Sequence, residues 1–151
     1  MDYINTRVEK LREYLFEVIN ELVADNNYQI NIDMLSDNIN NYSLDKIPTA
    51  STVERWVTGT EIYRDVFSFR SRVAYSQDVI VNLSNIGFFE AFEKKIKSNN
   101  EKGVLPNIDN IEEIKCLNCG TLISADTSKA IFNIQIQITY RENDSNELIS
   151  L

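Results

Sequence analysis

Cys116 and Cys119 form the one recognisable chemical motif in the sequence, a Cys-x-x-Cys. Thiolates at this spacing serve zinc or disulfide exchange. Structural zinc takes four ligands, and with no His in the chain the other two would be carboxylates or a neighbouring subunit's cysteines. A thioredoxin-type pair opens a helix after a strand, whereas this pair sits in a stretch that reads as strand or bulge and runs into Gly120. Cys116 and Cys119 are thus the only metal candidates, and the expectation is no metal, no cofactor and no redox role.

Other chemistries lack their parts. The absence of His removes Ser-His and Cys-His nucleophile pairs. The four glycines, at 59, 87, 103 and 120, are too far apart for a phosphate-cradling loop. Glu112, Glu113, Asp109 and Asp126 fit no calcium-loop spacing, and among 23 acids adjacent carboxylates arise by chance. No nucleophile, base and orienting partner stand in recognisable order, so the chain reads as a non-enzyme. A net charge of −8 argues against a general nucleic-acid binder, which neutralises phosphates with bases.

A length of 151 residues suits one domain, expected over 1–142, with a polar tail at 143–151. The N-terminus shows no apolar signal run, and no stretch is long enough to span a bilayer. Two cysteines are too few for a disulfide framework, so folding in a reducing cytoplasm is expected.

The elements follow from periodicity. Ile4, Val8, Leu11, Leu15, Val18 and Leu22 repeat at four and three residues, one stripe of a helix, which Asp25-Asn26-Asn27 ends. Tyr28–Leu35 and Tyr42–Ile47 read as short strands around a turn-rich 36–41. Residues 60–75 alternate, with Tyr63, Phe67, Phe69, Val73 and Tyr75 on one parity and Arg64, Ser68, Arg70 and Arg72 on the other. Ser76 is placed to cap a second helix with Asp78 in its first turn. Its expected stripe is Val79, Leu83, Ile86, Phe89, Phe92 and Ile96, its kink falls at Ser84-Asn85-Ile86-Gly87, and its end is marked by Lys94, Lys95 and Lys97. Residues 98–103 read as loop. Ile111–Ala125 reads as one strand, Asp126-Thr127-Ser128 as a turn, and Ile131–Tyr140 alternates most regularly of all. The expected fold is α+β, order α-β-β-β-α-β-β, a mainly antiparallel sheet with both helices on one face.

Two features suggest contacts rather than chemistry. Residues 49–62 read as an extended ribbon or arm, and Val53, Trp56, Val57 and Ile62 are its candidate subunit-interface residues, with the only Trp as anchor. Arg64, Arg70 and Arg72 crowd one strand face. Acidic cross-strand neighbours would make that face an ordinary solvated one; acidic surface on a partner would make it a contact.

From about residue 34 to 142, the order of several short stretches resembles the tail-terminator, or minor capsid-type, proteins of tailed phages and contractile phage-tail-like particles. The stretches are Tyr42-Ser43-Leu44 with Pro48, Val57-Thr58-Gly59-Thr60, Phe67-Ser68-Phe69-Arg70-Ser71-Arg72, Asn85-Ile86-Gly87-Phe88-Phe89-Glu90-Ala91-Phe92 and Ile136-Gln137-Ile138-Thr139-Tyr140. The resemblance implies a homo-oligomeric ring, usually of six copies, that caps the tail tube and ends its growth. In a contractile tail the ring also meets the sheath, and in a virion it joins the tail to the head connector. It further implies assembly in the bacterial host cytoplasm and a place in the virion tail or a released bacteriocin particle, with no sequence-specific nucleic acid and no membrane as partner. The alternatives are a head-completion or neck connector, and a small binding module of the antitoxin or adaptor type.

Overall fold

The chain runs α1 (Arg7–Leu22), β1 (Gln29–Ile32), β2 (Asn41–Ile47), β3 (Thr52–Arg55), β4 (Thr60–Ala74), α2 (Val79–Glu101), β5 (Ile111–Cys116), β6 (Thr121–Ala125) and β7 (Lys129–Asn143). The computed structural model describes residues 6–23, 29–37, 39, 41–48, 52–75, 79–118, 120–126 and 128–143. The expected cap at Ser76 and Asp78 lies outside them, as do Ile4 and Cys119. The class is the expected one, two helices and a mostly antiparallel sheet.

β4 and β7, fifteen residues each, pair antiparallel from Thr60↔Asn143 to Ala74↔Lys129. They are the two segments with the longest alternation, and their register puts apolar rows side by side: Phe67 opposite Ile136, Phe69 opposite Ile134, Val73 opposite Ala130. Two short strands flank each. β2 and β3 line the outer side of β4, and β5 and β6 the outer side of β7, with β1 beyond β2. The core lies between this apolar face and both helices.

Thr6 caps α1, its hydroxyl accepting the Glu9 amide at 3.3 Å, and Leu11, Leu15, Val18 and Ile19 are buried as the stripe requires. In α2, Phe89, Phe92 and Ile96 are buried but Ile86 is 49 % exposed. At 100° per residue Ile86 stands about 120° around the helix from Phe92. Phe88 takes the place beside the core, its ring 6.4 Å from Tyr42 and 6.3 Å from Phe92.

Helix α2 runs past the lysines to Glu101, through residues expected as loop. Its asparagines find partners that do not compete with the helix: Asn99 donates to the Tyr14 hydroxyl at 3.2 Å and Asn100 accepts from the Ile114 amide at 3.0 Å. Gly103, at φ +75°, ends it. The Gly103 amide bonds the Asn100 carbonyl and the Val104 amide the Asn99 carbonyl, the 5→2 and 6→1 pair that closes a helix on a left-handed residue.

Three further details depart from the sequence reading. The ribbon is a true strand, β3, hairpinned onto β4. The segment 111–125 divides into β5 and β6, because Leu117, Asn118 and Gly120 interrupt it. There the Leu117 amide bonds the Gln135 carbonyl, and Asn118 accepts the Gln135 amide at 2.9 Å. Gly120 is required at that point, since an added Cβ would lie 2.5 Å from the Phe89 ring. Finally, β1 and β2 pair parallel, Gln29 with Asn41 through Ile32 with Leu44. After β1, residues 34–36 lie on the helix-free face of the sheet, where the Met34 amide bonds Ser43 at 3.0 Å and Arg72 bonds the Ser36 carbonyl at 2.7 Å.

Candidate functional site

The β3–β4 hairpin closes on Val57-Thr58-Gly59. The Trp56 amide donates to the Thr60 carbonyl at 2.8 Å, the Gly59 amide to the Trp56 carbonyl at 2.9 Å, and Gly59 takes φ +89°. A three-residue loop of this kind needs a left-handed residue at its last position, which glycine supplies without strain. Trp56 is 42 % exposed and Val57 fully so. The indole N–H donates to Glu54 Oε1 at 3.0 Å. Behind the tip, Arg55 and the Tyr63 hydroxyl both bond Glu61. These bonds, Tyr63's first, hold the Glu61 carboxyl below its ordinary range. Of the four candidate interface residues, Trp56 and Val57 stand at the surface. Ile62 is 4 % exposed and supports the hairpin from within the chain. The Val53 side chain lies outside what the structure describes.

The candidate arginines share the helix-free sheet face, opposite an amide-rich row: Arg64 with Thr139, Arg70 with Asn133, Arg72 with Ile131. Two of them are engaged within the chain. Arg70 Nε bonds Asp45 Oδ2 at 2.6 Å, the cross-strand acid that a solvated face supplies. Arg72 is held by Ser36. Arg64 makes no ion pair among the described residues.

A third region had no part in the sequence reading. A cavity of about 770 Å³ opens between the start of α1, the loop at 107–110 and the ends of β4 and β7. At its floor Asp65 is 3 % exposed. Arg7 Nε lies 3.4 Å from Oδ2, Lys46 Nζ 3.9 Å from Oδ1, and the Tyr140 hydroxyl donates to Oδ2 at 3.3 Å. The Arg7 guanidinium sits 4.5 Å over the Tyr140 ring, a cation–π contact. Burial, reinforced by the charge of Asp65, pushes the Tyr140 hydroxyl up to about 12. The signal for this site was present in the pattern: Asp65 occupies the apolar parity of its strand, where a carboxylate must find cations and donors. The hydroxyls lining the cavity are Thr6, which caps α1, and Tyr140.

Cys116 is half-buried at the end of β5, packed against the core. Among the described residues no three acids or cysteines gather as a metal site. No family model matches the sequence, and no curated protein matches it.

Proposed function

We propose that the chain is a structural assembly protein of the tail-terminator type. Copies form a ring, on the resemblance usually of six, that caps the tail tube of a phage or phage-tail-like bacteriocin, and the sheath where the tail contracts. Its partners are its own copies, the tube protein, the sheath protein and the head connector.

The observation that carries this reading is the β3–β4 hairpin tip. Trp56 and Val57 are exposed there on a hydrogen-bonded turn outside the core, as suits a protein built to associate. Arg64 adds a charge that no acid of the described chain neutralises. The assembly forms in the cytoplasm of the bacterial host.

Electron microscopy of particles from a strain lacking the gene tests the proposal. Tails of uncontrolled length, or tubes without a cap and without retained sheath, are the expected result. Tails of normal length beside unjoined heads would move the protein to the neck.

A further inference from the structure

The exposed tip and the Asp65 cavity are complementary, yet one chain cannot bring them together. Glu54 pairs with Ile62, so Glu54, Trp56 and Ile62 share a sheet face, and the Trp56–Glu54 hydrogen bond agrees with that alternation. Ile62 has the parity of Arg64 and Arg70, the helix-free face. The cavity opens on the other face, beneath the first turn of α1, with Asp65, Phe67 and Tyr140 at its floor. Within one molecule the sheet stands between the indole and the cavity.

We propose that Trp56 of one copy seats in the Asp65–Tyr140 cavity of the next. The contact rests on the ring reading and names its joint. A volume of about 770 Å³ falls within the roughly 300–1,000 Å³ of sites that enclose an organic group. Val8, half-buried on α1, and the aliphatic stems of Lys10 and Lys46 offer apolar surface to the indole above a closed floor of Phe67, Ile108 and Tyr140, and the lysine ammonium groups suit its face. Charge fits as well. Arg55 and Glu61 neutralise each other behind the tip, which leaves Glu54 as the acid that travels with Trp56. Arg7, Lys10, Lys46 and Arg141 line the cavity that receives it against Asp65, Asp109 and Glu142, a surplus of one positive charge. Knob and cavity are different surfaces of the same chain, so the contact is head-to-tail, and repetition closes a ring when the rotation allows.

Native mass spectrometry and light scattering of the full-length purified chain test the contact. The wild-type chain is expected to self-associate. Trp56→Ala removes the knob, and Asn107→Trp, at an exposed position lining the cavity, fills the socket. Each is expected to weaken self-association at least tenfold. An equimolar mixture of the two has one intact knob and one intact socket, and is expected to give 1:1 dimers and nothing larger. Circular dichroism confirms that each variant folds. As an independent readout, a Val57→Cys chain mixed with an Asn107→Cys chain under mild oxidation is expected to link through the two introduced thiols, identified by peptide mass.

An unchanged oligomer in Trp56→Ala, or a mixture that links at neither position, overturns the contact and leaves the ring intact with another joint. A wild-type chain that stays monomeric at every concentration also overturns the contact. The ring reading itself is then decided by tail length in the deletion strain.

Discussion

Each strand of the central pair has two short strands directly beside it and treats them differently. At one end of the sheet β2 lies beside β4 and β6 beside β7. Residues 41–44 of β2 are all buried, whereas all five residues of β6 are exposed, Leu122 and Ile123 among them. The other end reverses the sides: β5 beside β7 is covered, while the β3 hairpin beside β4 projects. The cause is where the helices land. α1 packs against β2 and α2 against β5, which leaves β3 and β6 uncovered at opposite corners. Covered and uncovered strands therefore occupy separate parts of one sheet, and a change in either region should leave the other largely unaffected.

The strongest way to break that comparison is in the covered region. Phe92 is fully buried and stacks on Phe69 at 5.6 Å. Phe92→Ala is expected to cost about 3–5 kcal/mol in urea unfolding. A loss below about 1 kcal/mol would mean that the helices do not share a core with the sheet.

Two glycines sharpen the same contrast. Gly120→Ala drives a Cβ into the Phe89 ring and is expected to cost about 1–3 kcal/mol. Gly87→Ala, in α2 with open space around it, is expected to stabilise by up to about 1 kcal/mol, because alanine loses less entropy in a helix. Opposite signs in thermal melts check the pair.

The cavity makes a pH prediction. Tyr140 titrates near 12 in the folded chain against an ordinary 10.0. A raised folded value contributes stability that is complete below the unfolded value and is lost as pH climbs through the folded one. Between pH 10 and 12 the wild-type chain is therefore expected to lose stability more steeply than Tyr140→Phe, measured by denaturant unfolding at stepped pH.

The smallest effects belong to the uncovered corners. Val57→Ser and Ile123→Lys are expected to change stability by no more than about 0.5 kcal/mol. Ile123→Lys is expected to raise solubility, since a charge on an open edge discourages strand pairing. Thermal melts and light scattering measure both.

How much was legible in advance depends on how local the signal was. Period-two alternation in β4 and β7 and the stripe of α1 were readable because each residue's burial there follows from its own neighbours in the chain. Of the ribbon's candidate residues Trp56 and Val57 are exposed and Ile62 is buried, because only the tip of the hairpin extends past its neighbouring strands. An acidic cross-strand neighbour for the arginine face was one of its two readings, but which groups would engage Arg70 and Arg72 was not legible, because Asp45 and Ser36 come to them from strands and loops 25 and 36 residues away.

The sequence by itself determined the class of fold, the two long strands and the first helix, all of which follow from composition and short-range periodicity. Only the tertiary structure decided the parallel pairing of β1 with β2, the division of 111–125 into two strands, the outward turn of Ile86 and the cavity around Asp65. Each of these is set by which surface arrives opposite a segment, and that is a property of long-range packing, since the local pattern is the same whether a helix covers a strand or leaves it bare.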